Sequence, residues 1–134
     1  MPSLNAFIVE DSPVIRENLI AALEELAPVK VVGTAEDEST AVSWLGGDRS
    51  CDLVIIDIFL KRGSGLGVLR AASEMNKPMS LVVLSNYATP DMRRKCLELG
   101  ASRVFDKSNE IDALILYCAR LADGDTGNVP LAPA

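Results

Sequence analysis

Five short apolar runs are the feature of this sequence that most restricts its fold. They begin roughly 22 to 28 residues apart, and most are continuous rather than alternating with polar residues. The runs cover residues 6–9, 29–33, 53–56, 81–84 and 103–105. Strands that are apolar on both faces are typical of a parallel sheet with helices on each side. We therefore expect five parallel strands joined by helices.

The segments between the runs carry signals for the start and end of helices. A serine or threonine can cap the first turn, and proline favours the first helical position. Four starts carry such a residue: Ser12-Pro13, Ser64, Thr89-Pro90 and Ser108. A further helix over residues 38–45 is predicted to end at Gly46-Gly47.

Two of these helices show an apolar stripe at helical spacing, which we expect to face the core. In the first helix the stripe is Val14, Ile15, Leu19, Leu23 and Leu26. In the last helix it is Ile111, Leu114, Ile115, Cys118 and Leu121.

Alternating strands and helices predict an α/β fold, a (βα)₅ doubly wound parallel sheet. Periodicity alone does not give the strand order. We expect one domain over residues 1–121 of the 134-residue chain. Residues 122–134 are rich in Gly, Pro and Asp, have no periodic apolar face, and are predicted to form a flexible tail or linker.

Composition excludes several functions. The net charge of −6 and the pI near 4.6 argue against direct nucleic-acid binding, which needs a basic surface. Histidine is absent, which removes His-dependent nucleophilic catalysis and His-ligated metal sites. No run approaches the roughly 18 apolar residues of a membrane span, so we expect a cytoplasmic protein that does not bind a membrane.

The three cysteines are odd in number and far apart: Cys51, Cys96 and Cys118. This spacing favours neither a disulfide framework nor a zinc site. We expect them to be buried free thiols in a reducing compartment.

Polar residues follow four of the predicted strands, at the edge where ligands bind in open parallel sheets. They are Glu10 and Asp11, then Asp57, Ser85 and Lys107. Each has an ordinary alternative role, because aspartate and serine also start helices and turns. Together they indicate a cation site, since neighbouring carboxylates repel one another unless a cation lies between them.

The chemistry of this cluster favours Mg²⁺ and phosphate. Without histidine or a cysteine cluster, oxygen ligands remain, and a few carboxylates with water suit Mg²⁺. A lysine and a hydroxyl could hold phosphoryl oxygens beside a carboxylate. Asp57 is the predicted acceptor of a phosphoryl group.

Five segments, in this order, resemble the receiver domains of two-component response regulators. They are FIVEDSPVIRENL (7–19), DLVIIDIFL (52–60), GSGLGVL (63–69), VVLSNYA (82–88) and GASRVFDKS (100–108). The similarity covers about residues 4–121. It implies a flavodoxin-like sheet of order 2-1-3-4-5, an order known for this fold rather than worked out from this sequence.

The resemblance also implies roles for individual residues. Asp11 and Asp57 would bind Mg²⁺ through their side chains, Phe59 through its backbone carbonyl, and Glu10 through a water molecule. Ser85 and Lys107 would bind the phosphoryl oxygens.

The function implied by the resemblance is phosphorelay signal transduction. A sensor histidine kinase or a histidine phosphotransfer protein would phosphorylate Asp57, and Ser85 would move toward the phosphoryl group. The surface of helix 4, predicted to start at Thr89-Pro90, and strand 5, residues 103–105, would then change conformation. It would bind an output partner, or an output domain of a longer transcriptional or other response regulator. A homodimer through helix 4, strand 5 and helix 5 is a further expected assembly. The chain would be no enzyme beyond accepting and losing its own phosphoryl group.

This sequence departs from the family pattern at several positions. Val104 occupies the place of the usual switching Tyr or Phe, and Ser108 replaces the proline that commonly follows the lysine, which removes the usual chemical support for a cis peptide bond there. Phe59 and Tyr87 lie at positions that in the family influence the access of water to the acyl phosphate. We expect these two bulky residues to prolong the life of phospho-Asp57.

Two other functions are compatible with the sequence. A pseudo-receiver would keep the fold and act as an interaction module without phosphorylation; Val104 allows it, whereas the intact acceptor residues argue against it. A phosphohydrolase with an aspartyl-phosphate intermediate would need a second acid where this chain has Phe59. The basic residues Arg93, Arg94 and Lys95 form either a solvated face of helix 4 or a surface for an acidic partner.

Overall fold

The computed structural model describes residues 3–124, which form one five-stranded sheet with five helices. The strands are β1 (Leu4–Val9), β2 (Val29–Ala35), β3 (Leu53–Ile56), β4 (Ser80–Ser85) and β5 (Arg103–Asp106). The helices are α1 (Pro13–Leu26), α2 (Glu38–Leu45), α3 (Gly65–Glu74), α4 (Pro90–Glu98) and α5 (Ile111–Ala122). Residues 125–134, most of the predicted tail, lie outside the described residues.

The strands are parallel and lie in the order β2-β1-β3-β4-β5, which confirms the predicted doubly wound sheet. The α/β class and the implied strand order are both correct. All four residues of the central strand β3 are buried, because helices cover both of its faces.

The sheet separates two apolar layers, and β1 contributes to both because successive side chains point to opposite faces. Phe7 and Val9 pack on the side that includes buried residues of α2, α3 and α4. Ala6 and Ile8 pack on the side of α1 and α5.

The aromatic ring of Trp44, on α2, stacks on Phe7 with ring centroids 4.1 Å apart. Gly33 in β2 makes room for this stack, since a Cβ there would lie 2.9 Å from the indole ring. The stack attaches α2 to the centre of the sheet.

Three of the predicted helix caps are confirmed. The side-chain oxygens of Ser12, Ser64 and Thr89 accept hydrogen bonds from backbone N–H groups in the first turns of α1, α3 and α4. The prediction for Ser108 is wrong. Its backbone N–H donates to the Asp106 carboxylate at 2.7 Å, and α5 begins only at Ile111.

The predicted core stripe of α1 is too wide. Leu19 and Leu23 are buried, whereas Val14 and Leu26 are 67% and 61% exposed. Ile15 is 39% exposed. The buried residues of α1 are Leu19 and Leu23, one turn apart, so the buried stripe is narrower than helical spacing alone predicts.

The corresponding stripe of α5 is buried at Leu114, Cys118 and Leu121, while Ile111 and Ile115 pack against it from partly exposed positions. Of the cysteines, Cys96 and Cys118 are buried as expected, but Cys51 is only half-buried. No cis peptide bond occurs in residues 3–124, so the Lys107–Ser108 bond is trans.

Candidate functional site

The carboxyl ends of four strands bring the predicted site residues to one edge of the sheet. Glu10 follows β1, Asp57 follows β3, Ser85 ends β4 and Lys107 follows β5. The backbone pairing continues past the strands: the N–H of Asp57 donates to the carbonyl of Val9 at 2.9 Å, and that of Lys107 to Ser85 at 3.0 Å. The sheet itself therefore holds the site residues in register.

The ammonium group of Lys107 joins two carboxylates. Its Nζ donates to Oε1 of Glu10 at 2.5 Å and to Oδ2 of Asp57 at 3.1 Å. Glu10 and Asp57 are buried, and the lysine side chain is only 10% exposed. The predicted convergence of these three groups is thus found in the structure.

The electrostatics of this cluster are unbalanced. Burial raises the pKa of Asp57 to about 6, opposed by the charge of Lys107 and reinforced by the charge of Glu10. Burial by itself would lower the pKa of Lys107, but its hydrogen bond to Glu10 and the charge of Asp57 raise that pKa above its ordinary value. One ammonium thus faces two carboxylates, and a further cation would relieve their repulsion.

Asp11 completes a group of three acids. One carboxylate oxygen from each of Glu10, Asp11 and Asp57 lies within 4.8 Å of the others. Asp11 is half-buried, and its Oδ2 accepts a hydrogen bond from the backbone N–H of Lys61 at 2.8 Å. An all-oxygen donor set with two buried carboxylates fits a hard divalent cation such as Mg²⁺.

The hydroxyl of Ser85 is fully buried at the same edge. Its Oγ accepts a hydrogen bond from the backbone N–H of Tyr87 at 3.1 Å. Asp57 Oδ1 accepts a bond of 3.4 Å from the N–H of Phe59. The role of the Phe59 carbonyl as a metal ligand stays a prediction.

Phe59 and Tyr87 form an exposed aromatic pair beside these residues. Their rings meet edge to face with centroids 5.2 Å apart, and the two residues are 53% and 64% exposed. Each ring contacts the other, and an influence of the pair on the access of water to Asp57 stays a prediction.

The sequence did not reveal the role of two arginines. Arg16 on α1 donates to the backbone carbonyl of Glu10 at 3.0 Å and pairs with Glu36 at 3.1 Å, which fixes the turn after β1. The sequence signal that could have identified Arg16 is its position on the first helix, six residues after Glu10. Arg93, predicted to belong to a solvated or partner-binding basic face, is instead bonded to groups on three segments, including Glu110.

Val104 lies on β5 and is 8% exposed. It packs in the apolar layer on the side of α4. A small buried side chain cannot swing between inward and outward positions as a switching aromatic would.

No helix within residues 3–124 is long and apolar enough to cross a membrane.

Comparisons with known proteins agree with the fold and the order of the motifs. A family model described as response regulator receiver domain matches residues 6–119. The transcriptional regulatory protein MalR of Bacillus subtilis is 29% identical over 73% of this chain and 41% of its own length. A protein-glutamate methylesterase/protein-glutamine glutaminase of Syntrophus aciditrophicus is 31% identical over 78% of this chain and 30% of its own length. The chain thus spans less than half of the length of these relatives.

Solved structures show the same fold. The signal receiver domain of the putative response regulator NarL from Mycobacterium tuberculosis superposes with a TM-score of 0.78 at 22% identity, covering 92% of this chain and 99% of that domain. A response regulator from Burkholderia pseudomallei, solved with a phosphorylated aspartic acid, a calcium ion and citrate, has a TM-score of 0.74 at 18% identity, over 98% and 76% of the two chains. Because the family model spans most of the sequence and the sheet order agrees, the chain belongs to the response regulator receiver domains of two-component systems.

Proposed function

We propose that this chain is a phosphorylation-controlled switch in which Asp57 accepts a phosphoryl group from the phosphohistidine of a sensor histidine kinase or a histidine phosphotransfer protein. The observation that carries the proposal is the joint contact of Lys107 with Glu10 and Asp57, beside Asp11. We infer that the receiver unit predicted over residues 1–121 also includes Ala122, because this residue ends α5 and is buried.

Phosphoryl transfer would form a bond between phosphorus and a carboxylate oxygen of Asp57 while the phosphorus–nitrogen bond of the donor breaks. The electron pair of the broken bond stays on the donor imidazole nitrogen. Lys107 is held within hydrogen-bond distance of Asp57 and can follow the new phosphoryl oxygens. Later attack of water on phosphorus would release phosphate and restore the carboxylate, so the chain catalyses only its own modification.

Glu10, Asp11 and Asp57 would hold Mg²⁺, with the Phe59 carbonyl as a further ligand and Glu10 acting through water. Bound Mg²⁺ would neutralise negative charge on the phosphoryl group. The fully buried Ser85 hydroxyl would donate to a phosphoryl oxygen once it turns away from Tyr87. The phosphorylated aspartic acid in the Burkholderia pseudomallei structure supports this use of the fold.

The direct test is the intact mass of the protein after incubation with acetyl phosphate and Mg²⁺. We expect one added phosphoryl group in the wild type, and none in Asp57→Asn or in the presence of a chelator. Asp52→Asn is the matched control, because Asp52 is an exposed acid just before β3 that binds the N–H of Asn5, away from the site. It should be modified like the wild type.

Absence of an adduct, together with no binding of beryllofluoride, would contradict the proposal. The pseudo-receiver, an interaction module that is never phosphorylated, would then be the better interpretation. An adduct that persists in Asp57→Asn would instead show that another residue is the acceptor.

The aromatic pair on the rim should slow the loss of the phosphoryl group. We expect the pair to limit the approach of water to phospho-Asp57 and to slow hydrolysis about two- to tenfold, which corresponds to roughly 0.4 to 1.4 kcal/mol in activation free energy. We expect faster hydrolysis of phospho-Asp57 in Phe59→Ala and in Tyr87→Ala, followed by the decay of the intact-mass adduct. Leu116→Ala, an exposed apolar residue on α5, is the control. Equal or faster decay in the wild type would contradict this role.

The output of the switch belongs to the face formed by α4, β5 and α5. An exposed leucine lies on each of its two helices, Leu97 on α4 and Leu116 on α5. We propose that the face contacts an output partner, an output domain or a second copy of the chain. The greater length of the relatives supports a role as one part of a longer regulator.

A further inference from the structure

Arg93 on α4 is a point where three other segments meet. Its Nε donates to the carbonyl of Ala88 at 2.9 Å, and its Nη1 to the carbonyl of Val104 at 2.9 Å. Its Nη2 donates to Oε1 of Glu110 at 2.6 Å. The planar guanidinium therefore ties α4 to the β4–α4 loop, to β5 and to the start of α5. We call these three bonds the Arg93 clamp.

The clamp is better defined than a surface ion pair. Arg93 and Glu110 are each about one-third exposed, so their charge attraction alone contributes little to stability. The two carbonyl bonds add direction, because the donors of a guanidinium are fixed in one plane. The hydrogen bond from Arg93 also lowers the pKa of Glu110, which keeps this carboxylate ionised.

Two of the three acceptors of Arg93 are linked to the site through one intervening residue. Ala88 follows Tyr87, whose N–H donates to the Ser85 hydroxyl. On the other side, Glu110 Oε1 also accepts from the N–H of Asp106 at 2.8 Å, and Asp106 precedes Lys107. The Ser85 hydroxyl and Lys107 are therefore each connected, through hydrogen bonds and one intervening residue, to an acceptor of Arg93.

We propose that the Arg93 clamp couples the phosphorylation site to α4: it holds α4 on β5 in the unphosphorylated protein and opens when Asp57 is phosphorylated. This inference rests on the proposed function. A Ser85 hydroxyl that turns toward the phosphoryl group leaves the Tyr87 N–H, so the loop moves and the Ala88 carbonyl separates from Arg93. Since Val104 offers no aromatic ring to rotate, Arg93 is the positioning residue on this face.

The direction of the coupling gives a test that a purely structural role would fail. If phosphorylation must open the clamp, a variant without it binds the phosphoryl mimic more tightly, because the two effects are reciprocal. We expect Arg93→Ala to bind beryllofluoride in the presence of Mg²⁺ about fivefold more tightly than the wild type, measured by isothermal titration calorimetry. Glu110→Gln keeps both carbonyl bonds of Arg93 and should give a smaller change of the same sign.

Arg94→Ala is the matched control. Arg94 is the next residue on α4, carries the same charge, and its Nη1 donates to the exposed Asp91. It should bind beryllofluoride like the wild type. Hydrogen exchange of residues 87–92 adds a second measurement: beryllofluoride should speed exchange in the wild type, whereas in Arg93→Ala exchange should already be fast without it.

Three outcomes would overturn the inference. Equal affinities in Arg93→Ala and Arg94→Ala would remove the coupling while leaving the proposed function intact. Weaker binding in Arg93→Ala would show that Arg93 only supports the fold, and Glu110→Gln decides the question if Arg93→Ala does not fold. No binding of beryllofluoride by the wild type, with no phosphoryl adduct, would overturn both the coupling and the proposed function.

Discussion

Gly65→Ala is expected to lower the free energy of unfolding by about 3 kcal/mol, because the new methyl group has no space. A Cβ at Gly65 would overlap the backbone carbonyl oxygen of Asp57 and would lie 2.7 Å from Cα of Ile58. Both neighbours are main-chain atoms, so neither can move aside by changing a rotamer. The N–H of Gly65 also donates to the Ile58 carbonyl at 2.8 Å, which keeps the two segments together.

The same substitution should disturb the site, since the displaced carbonyl belongs to the proposed acceptor. A shift of about 1 Å in a reacting group can reduce a rate on the order of a hundredfold. We therefore expect Gly65→Ala to accept far less phosphoryl from acetyl phosphate than the wild type. Urea unfolding followed by circular dichroism, and intact mass for the adduct, measure the two effects.

Gly47→Ala is the control for this prediction. A Cβ at Gly47 would lie 3.5 Å from the carbonyl oxygen of Trp44, an ordinary contact. Its free energy of unfolding should change by less than about 0.5 kcal/mol. Equal unfolding midpoints for the two alanine variants would show that the loop after β3 adapts freely, contrary to this account.

Lys107→Met should destabilise the Mg²⁺-free protein by about 3 kcal/mol, because it leaves two buried carboxylates without their cation. For a domain of this size the melting temperature should fall by roughly 10 °C. Adding Mg²⁺ should restore part of the loss, since a ligand that binds only the folded state stabilises it. Differential scanning calorimetry with and without Mg²⁺ measures both changes.

Two further variants serve as controls for this prediction. Lys95→Met removes an exposed cation from α4 and should leave the melting temperature almost unchanged. Asp57→Asn removes one of the two carboxylates and should stabilise the Mg²⁺-free protein, the opposite sign. If Lys107→Met has the same melting temperature as the wild type, the contacts of the lysine with Glu10 and Asp57 contribute nothing to stability.

The fold and the centre of the site could be predicted because both follow from the order of apolar and polar residues along the sequence. Continuous apolar runs mark strands buried on both faces, and parallel strands bring their carboxyl ends to one edge. Glu10, Asp57 and Lys107 meet for this reason, although 97 residues separate the first from the last. Resemblance supplied the strand order, which periodicity does not contain.

The remaining features depend on geometry that the sequence does not show. Helical spacing identifies the residues of α1 on one face, but it does not give the width of the buried stripe, so Val14 and Leu26 were misplaced. At Ser108 a local bond to Asp106 competed with capping. For Arg93, two of its three acceptors are backbone carbonyls, which have no signature in the side-chain pattern.

The stack of Trp44 on Phe7 gives this chain an intrinsic optical reporter. Trp44 is the single tryptophan of the sequence, so its fluorescence arises from one known environment between α2 and the sheet. Loss of the stack would expose the indole to water and shift its emission to longer wavelength. Unfolding of the Gly65 and Lys107 variants can therefore be followed without an attached dye.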